Sequence, residues 1–273
     1  MQHNIVSVNI KGGLGNQLFQ IAAAYAYARQ HNGVLQIIAK RENGSRPLYW
    51  DTLLQRIQPY LVEYVPSTLR VWQEEYPTMY KEIEPLGPQG IYLQEYLQTS
   101  KYYPTDEIKT EIKQLFRPSK HLLATIQEKY SQLLKKKERV VVMHARRTDY
   151  VTHKEIHGPL DASYYQEAVK RILQRIPEPI FLLCGDDSSY WNEIRDAIPE
   201  VFQHEHQILD RETDIHTFAL LQQFHHFIMS NSTFIWWCVW LASTNHVFVP
   251  SKWFGPSGPQ IYEDIYEQEW EKI

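Results

Sequence analysis

Positive charge is not in excess in this chain, where 28 Lys and Arg stand against 32 Asp and Glu for a formal net charge of −4 over 273 residues. A general nucleic-acid binder needs such an excess, so any basic site here is local and no nucleic-acid partner is expected. Cysteine is scarce. Cys184 and Cys238 lie inside apolar runs, where thiols are inert core residues, and two of them supply no metal site without other ligands. An intracellular, cytoplasmic protein is therefore expected. No apolar run approaches the roughly 18 residues of a transmembrane helix. Met1-Gln2-His3-Asn4 runs into a strand pattern with no basic-plus-apolar leader, so the chain is expected to be soluble as translated. Two glycine fingerprints are incomplete as well. Leu18 stands where a dinucleotide motif needs its third glycine, and the Gly-Lys-Ser/Thr of a P-loop is missing.

What is present is organised around Val140-Val141-Val142-Met143, followed at once by His144-Ala145-Arg146-Arg147-Thr148-Asp149-Tyr150. An unbroken apolar, mostly β-branched run reads as a strand buried on both faces of a parallel sheet. In an open α/β sheet the C-terminal edge is where ligands bind, and two fork-shaped cations there suit a phosphate or carboxylate. Asp149 is close enough to orient one arginine and leave the other to the ligand. A surface ion pair in a solvated loop is the competing reading of the same residues.

Upstream, Ile5 to Ile10 alternates as a strand, and Lys11-Gly12-Gly13-Leu14-Gly15-Asn16-Gln17 opens a helix expected from about Gln17 to Arg29. Gly13 and Gly15 allow close backbone approach at a helix N-terminus, and Asn16 and Gln17 offer side-chain amides. A tight turn without a ligand fits this segment equally well. Val34 to Ile38 is a second strand. Residues 42–103 are irregular and aromatic, which suits a sugar-stacking surface and, more commonly, packing between elements. Helical spacing marks 106–116 and 122–134, and a domain boundary is placed between 137 and 138.

After the clamp, 151–159 reads as a polar flap, and a helix follows from Asp161, its N-cap, to about Arg175. Ile180 to Cys184 is another buried strand. The Asp186-Asp187 pair after it suits the acidic first turn of a helix better than a metal site. Asp214 opens a helix, and 227–229 is a short strand. Ser230-Asn231-Ser232-Thr233 then precedes a helix from Phe234 to Ala242 that is apolar all round and must be central to its domain. Its N-terminus offers a second anion site, and an N-cap cluster with no ligand is the alternative.

Taken together, Gly13-Leu14-Gly15-Asn16-Gln17-Leu18-Phe19-Gln20, His144 to Tyr150, Ser230 to Trp237 and Pro250-Ser251-Lys252-Trp253-Phe254 resemble, in order, the motifs of the α-1,2-fucosyltransferase family. The resemblance implies a GT-B-like fold of two Rossmann-type domains: an acceptor-side domain over 1–137 and a GDP-fucose-binding domain over 138–273. It implies inverting transfer of L-fucose to the 2-hydroxyl of a terminal β-galactoside on an oligosaccharide, with neither metal nor cofactor. By the same likeness Arg146 takes the β-phosphate with Arg147 beside it. His144 and Asp214 meet guanine or ribose, Ser230, Asn231, Ser232, Thr233 and Phe234 meet the nucleotide, and Asn16 with Gly13, Gly15 and Gln17 faces the donor. Gly185 stands where this family has serine. Asp149 and Glu155 are the candidate bases for the acceptor hydroxyl; occupation of Asp149 by Arg147 would leave Glu155. A fucosyltransferase of another linkage or acceptor, and a non-catalytic glycan- or sugar-nucleotide-binding module, remain as alternatives.

Overall fold

The computed structural model describes residues 4–40 and 43–273; the expectations touching Met1 to His3 and Glu42 lie outside them. Contacts divide the chain into two compact units: Met1–Arg117 with Ile261–Glu267, and Pro118–Gln260 with Gln268–Ile273. The division falls after Arg117, ahead of the expected 137/138 boundary. The helices after Arg117 belong with the second sheet because Lys129 and Tyr130 bind Glu212, beyond that sheet's third strand.

Unit 1 contains β1 (Ile5–Val8), α1 (Leu14–Gln30), β2 (Val34–Leu35), β3 (Ile37–Ile38), β4 (Leu61–Val62), β5 (Arg70–Trp72), β6 (Ile91–Leu93) and α2 (Asp106–Leu115). Its main sheet has the order β2-β1-β6-β5, all parallel, and β3 pairs with β4 beside it. α1 starts at Leu14, earlier than expected, with Gly13 as N-cap. Its run Ile21-Ala22-Ala23-Ala24 is wholly buried, small side chains letting the helix lie close on the sheet. The aromatic stretch is not structureless. It carries β4, β5 and β6, too short to show a period of two.

Unit 2 contains α3 (Lys120–Lys129), α4 (Ser131–Leu134), β7 (Val140–Ala145), α5 (Thr148–Thr152), α6 (Lys154–His157), α7 (Ala162–Leu173), β8 (Ile180–Gly185), α8 (Tyr190–Glu193), α9 (Pro199–Gln203), β9 (His206–Ile208), α10 (Asp214–Leu221), β10 (His226–Ile228), α11 (Thr233–Leu241), β11 (His246–Val249) and β12 (Glu271–Lys272). Its six strands are parallel in the order β12-β11-β10-β7-β8-β9. The chain builds outward from β7 through β8 to β9, then crosses back to β10 on the other side of β7. The β7/β10 boundary is thus the topological switch point, where parallel sheets open a crevice at the strands' C-terminal ends. Every residue of β7 is buried, as its apolar run requires. Asp161 caps α7 as expected, its carboxylate accepting from the backbone N–H of Ser163 at 3.0 Å. α11 has Trp236, Trp237 and Cys238 fully buried, with Trp236 stacked on Trp240. Burying each such ring contributes roughly 1.5–3 kcal/mol, which fixes the helix and the aim of its N-terminus. Among the described residues no helix is long and apolar enough to cross a membrane.

Candidate functional site

Register places the first cluster. β7 and β8 run in step to the pair Ala145↔Gly185, so the residues that follow, Arg146 and Asp186, emerge side by side. A Cβ on residue 185 would sit 2.2 Å from the Ala145 carbonyl oxygen, so only glycine allows the two strands to leave the sheet this close together.

Asp186 anchors the turn. One carboxylate oxygen accepts from the Arg147 backbone N–H at 2.7 Å, and the other accepts from the Thr148 N–H at 3.2 Å and from the Thr148 hydroxyl. Arg146 Nε lies 3.3 Å from the same carboxylate. On its other flank Asp149 Oδ1 accepts from Arg146 Nε at 3.0 Å and stands 2.8 Å from Nη2. Asp149, close enough in sequence to serve either arginine, holds Arg146, because residues three apart across a helix start share a face. Arg147 turns away: its Nη1 donates to the Leu160 carbonyl at 3.1 Å, and its guanidinium lies 4.0 Å over the Tyr190 ring. Both carboxylates occupy the Nε/Nη2 edge of Arg146, and among the described residues Nη1 meets no acceptor. What remains is a half-buried, pre-aimed fork with one open edge at the switch point.

The second cluster comes from β10. His144 Nδ1 lies 2.8 Å from Ser230 Oγ, and its ring stacks on Phe234 at 6.1 Å. Burial pushes the imidazole down to about 3, with the Asp186 charge opposing and the Arg146 charge assisting, so the ring is neutral at physiological pH. The folded pKa lies below the unfolded one, so His144 costs stability as pH falls through about 6.5 towards 3. The stability difference between wild type and His144→Gln should therefore shrink by up to about 1.4 kcal/mol per pH unit in that window. Urea unfolding at a series of pH values tests it; a flat difference would mean that His144 is not held neutral.

Ser230, Asn231 and Ser232 are buried. Ser232 Oγ accepts from the Phe234 N–H at 3.3 Å as the N-cap of α11, and the Asn231 amide donates to main-chain carbonyls. Thr233 and Phe234 are the half-buried members of the run and stand at the helix start. Phe218 of α10 meets Phe234 edge-on at 5.9 Å, and Asp214, one turn earlier and exposed, shares that face of α10.

In unit 1 the loop before α1 is tightly tied. Gln17 is fully buried, and its amide donates to the Gly12 carbonyl at 3.0 Å and the Pro47 carbonyl at 2.8 Å, so the side chain closes the loop on itself. Asn16 is half-buried and accepts from Gln98 Nε2 at 3.0 Å through Oδ1. Gly15 is buried in the first helical turn.

The structure thus gathers His144, Arg146, Asp149, Ser230 and Phe234 at one edge of unit 2, while Arg147, Asn231 and Gln17 bind protein. The expected flap is two helical turns, α5 and α6, with Glu155 exposed in the second. Sequence reasoning missed Asp186 as the anchor of the turn; its signal was a carboxylate directly after a strand end, legible only once β8 is known to lie beside β7. Asp187 accepts from the Ser189 N–H and hydroxyl. Among the described residues no three or more His, Cys, Asp or Glu are grouped to hold a metal.

Two Rossmann-type units with a cationic switch-point site define a glycosyltransferase fold of GT-B type. The solved NodZ alpha-1,6-fucosyltransferase, soaked with GDP-fucose, matches it with a TM-score of 0.51 at 11% identity, covering 89% of this chain and 93% of that one. The sequence profile of glycosyl transferase family 11 matches residues 3–273, and the chain belongs to that family. It is 23% identical to an alpha-1,2-colitosyltransferase of Escherichia coli over 92% of this chain and 93% of the relative. It is 27% identical to galactoside 2-alpha-L-fucosyltransferase SEC1 of Bos taurus over 90% of this chain and 66% of the relative.

Proposed function

We propose that this chain transfers L-fucose from GDP-fucose to the 2-hydroxyl of a terminal β-galactoside, inverting the anomeric carbon, without a metal or other cofactor. The observation that carries the reading is Arg146, held on one edge by Asp149 and Asp186 and open on the other at the switch point. As the C1–O bond breaks, the sugar gains oxocarbenium character and negative charge grows on the β-phosphate. A guanidinium already in place stabilises that charge most in the transition state, and the N–H groups at the start of α11 add to it. The neutral imidazole of His144, with Phe234 and the nearby Asp214, suits the guanine or ribose. Asp149 is tied to Arg146, which favours the exposed Glu155 as the group that receives the acceptor proton. Asn16 is assigned to the donor.

The galactoside fucosyltransferase among the relatives supports the acceptor and linkage, and the colitosyltransferase supports a second reading in which linkage is kept and the donor sugar is colitose. Incubation with GDP-fucose or GDP-colitose and lactose, with and without EDTA, tests both. Fucosyl-α-1,2-lactose, identified by NMR and formed equally in EDTA, is the expected product. GDP release without any glycosylated lactose would remove the reading, and loss of product in EDTA would remove its metal-free part.

A further inference from the structure

Asn231 stands among the residues expected to meet the nucleotide, yet it is 1% exposed and its amide nitrogen meets main-chain carbonyls. Its Nδ2 lies 2.6 Å from the His157 carbonyl oxygen, 3.1 Å from that of Gly158 and 2.8 Å from that of Trp253. Its main-chain carbonyl accepts from the Tyr150 hydroxyl at 3.0 Å. One residue therefore grips both ends of the α5–α6 segment, Tyr150 near its start and His157-Gly158 at its close. The middle is gripped by the loop after Trp253: the Gly255 N–H donates to the Ile156 carbonyl at 2.9 Å, and the Ser257 N–H to the Glu155 carbonyl at 2.7 Å. A Cβ on residue 255 would lie 2.5 Å from the Glu155 carbonyl oxygen, so the two backbones are in direct contact.

The gripped segment carries the groups that surround the open fork. Tyr150 lies under Arg146, with the guanidinium Cζ 5.7 Å from the ring centroid, and stacks on His157 at 4.5 Å with an interplanar angle of 12°. Asp149, which holds Arg146, precedes it, and Glu155 projects from the segment's second turn. Moving the segment would move the shelf beneath Arg146, its carboxylate partner and Glu155 together.

We propose that Asn231 is a positioning residue, a clasp that fixes the α5–α6 segment over the floor of the site, and not a ligand of the nucleotide. The proposal rests on the transferase reading for its kinetic consequence and on the backbone geometry alone for its structural one. Asn231→Ala removes the amide from the three carbonyls and leaves the main chain in place. A clasp predicts that GDP affinity by calorimetry stays within about twofold. It also predicts a fall in kcat of about tenfold or more, and faster hydrogen exchange at Gly255, Ser257 and the 150–158 amides. A nucleotide ligand predicts the reverse, a GDP affinity weakened about tenfold with kcat at saturation intact, and that result overturns the proposal. So does a variant with unchanged kcat and unchanged exchange.

Should Asn231→Ala fail to fold, Tyr150→Phe decides, since it deletes only the hydroxyl bound to the Asn231 carbonyl. It is expected to give the same pattern at about threefold in kcat, with exchange raised at 150–158, and the absence of both effects counts against the clasp. A wild-type chain that binds GDP but transfers no sugar would remove the function reading instead, and the exchange comparison would then judge the clasp by itself.

Discussion

Arg146→Ala should lower kcat by roughly a hundredfold to a thousandfold while leaving the protein folded. Losing one preorganised donor to a developing oxyanion costs about 2.7–4 kcal/mol in the transition state. The competing effect is on stability, because the substitution also frees Asp149 and Asp186 from their partner. Both pairs are partly solvated, with side chains 21% exposed for Arg146, 32% for Asp149 and 18% for Asp186, so their contribution to folding is on the order of 1 kcal/mol. Activity and stability therefore separate. Arg146→Lys sharpens the test: an ammonium keeps the charge but not a planar fork that binds two carboxylates on one edge and an anion on another, so most of the loss should remain. Near wild-type kcat in either variant, measured at saturating donor with thermal unfolding unchanged, would remove Arg146 from the mechanism.

Asp186→Ala is expected to lower kcat by roughly a hundredfold although Asp186 is assigned no contact with substrate. Its carboxylate holds the Arg147 and Thr148 N–H groups and the Thr148 hydroxyl, and these three bonds fix the turn from which Arg146 projects. A shift of about 1 Å in a positioned catalytic group is enough for a loss of this size. Leaving the half-buried Arg147 N–H without its acceptor should also destabilise unit 2 by about 1 kcal/mol, so assays belong well below the variant's Tm. Asp186→Asn separates anchoring from charge. It keeps one oxygen for the backbone N–H groups and loses the charge beside Arg146, so kcat should return part of the way. If Asp186→Ala keeps kcat within about threefold of wild type, the turn holds its shape without the anchor and that assignment is wrong.

Much of the fold was determined by the sequence alone, because its cues are local. The apolar run 140–143 could only be a doubly covered strand, Asp161 could cap only the helix that follows it, and 234–242 had no polar face to offer solvent. The place of the proposed site, at a strand end and a helix start, was read from the same cues. What tertiary structure decided was partnership. Asp149 could have served either arginine, and only the start of α5 at Thr148 turned it to Arg146. Asp186 lies 40 residues beyond Arg146 in the chain (186 − 146), and the β7/β8 register brings the two side by side. Gln17 and Asn231 carry the same amide chemistry whether they face a ligand or the backbone; only the tertiary structure brings their amide nitrogens to carbonyls of distant segments. Local periodicity records which face of an element is covered, whereas a hydrogen bond between remote residues depends on register, which no single segment encodes.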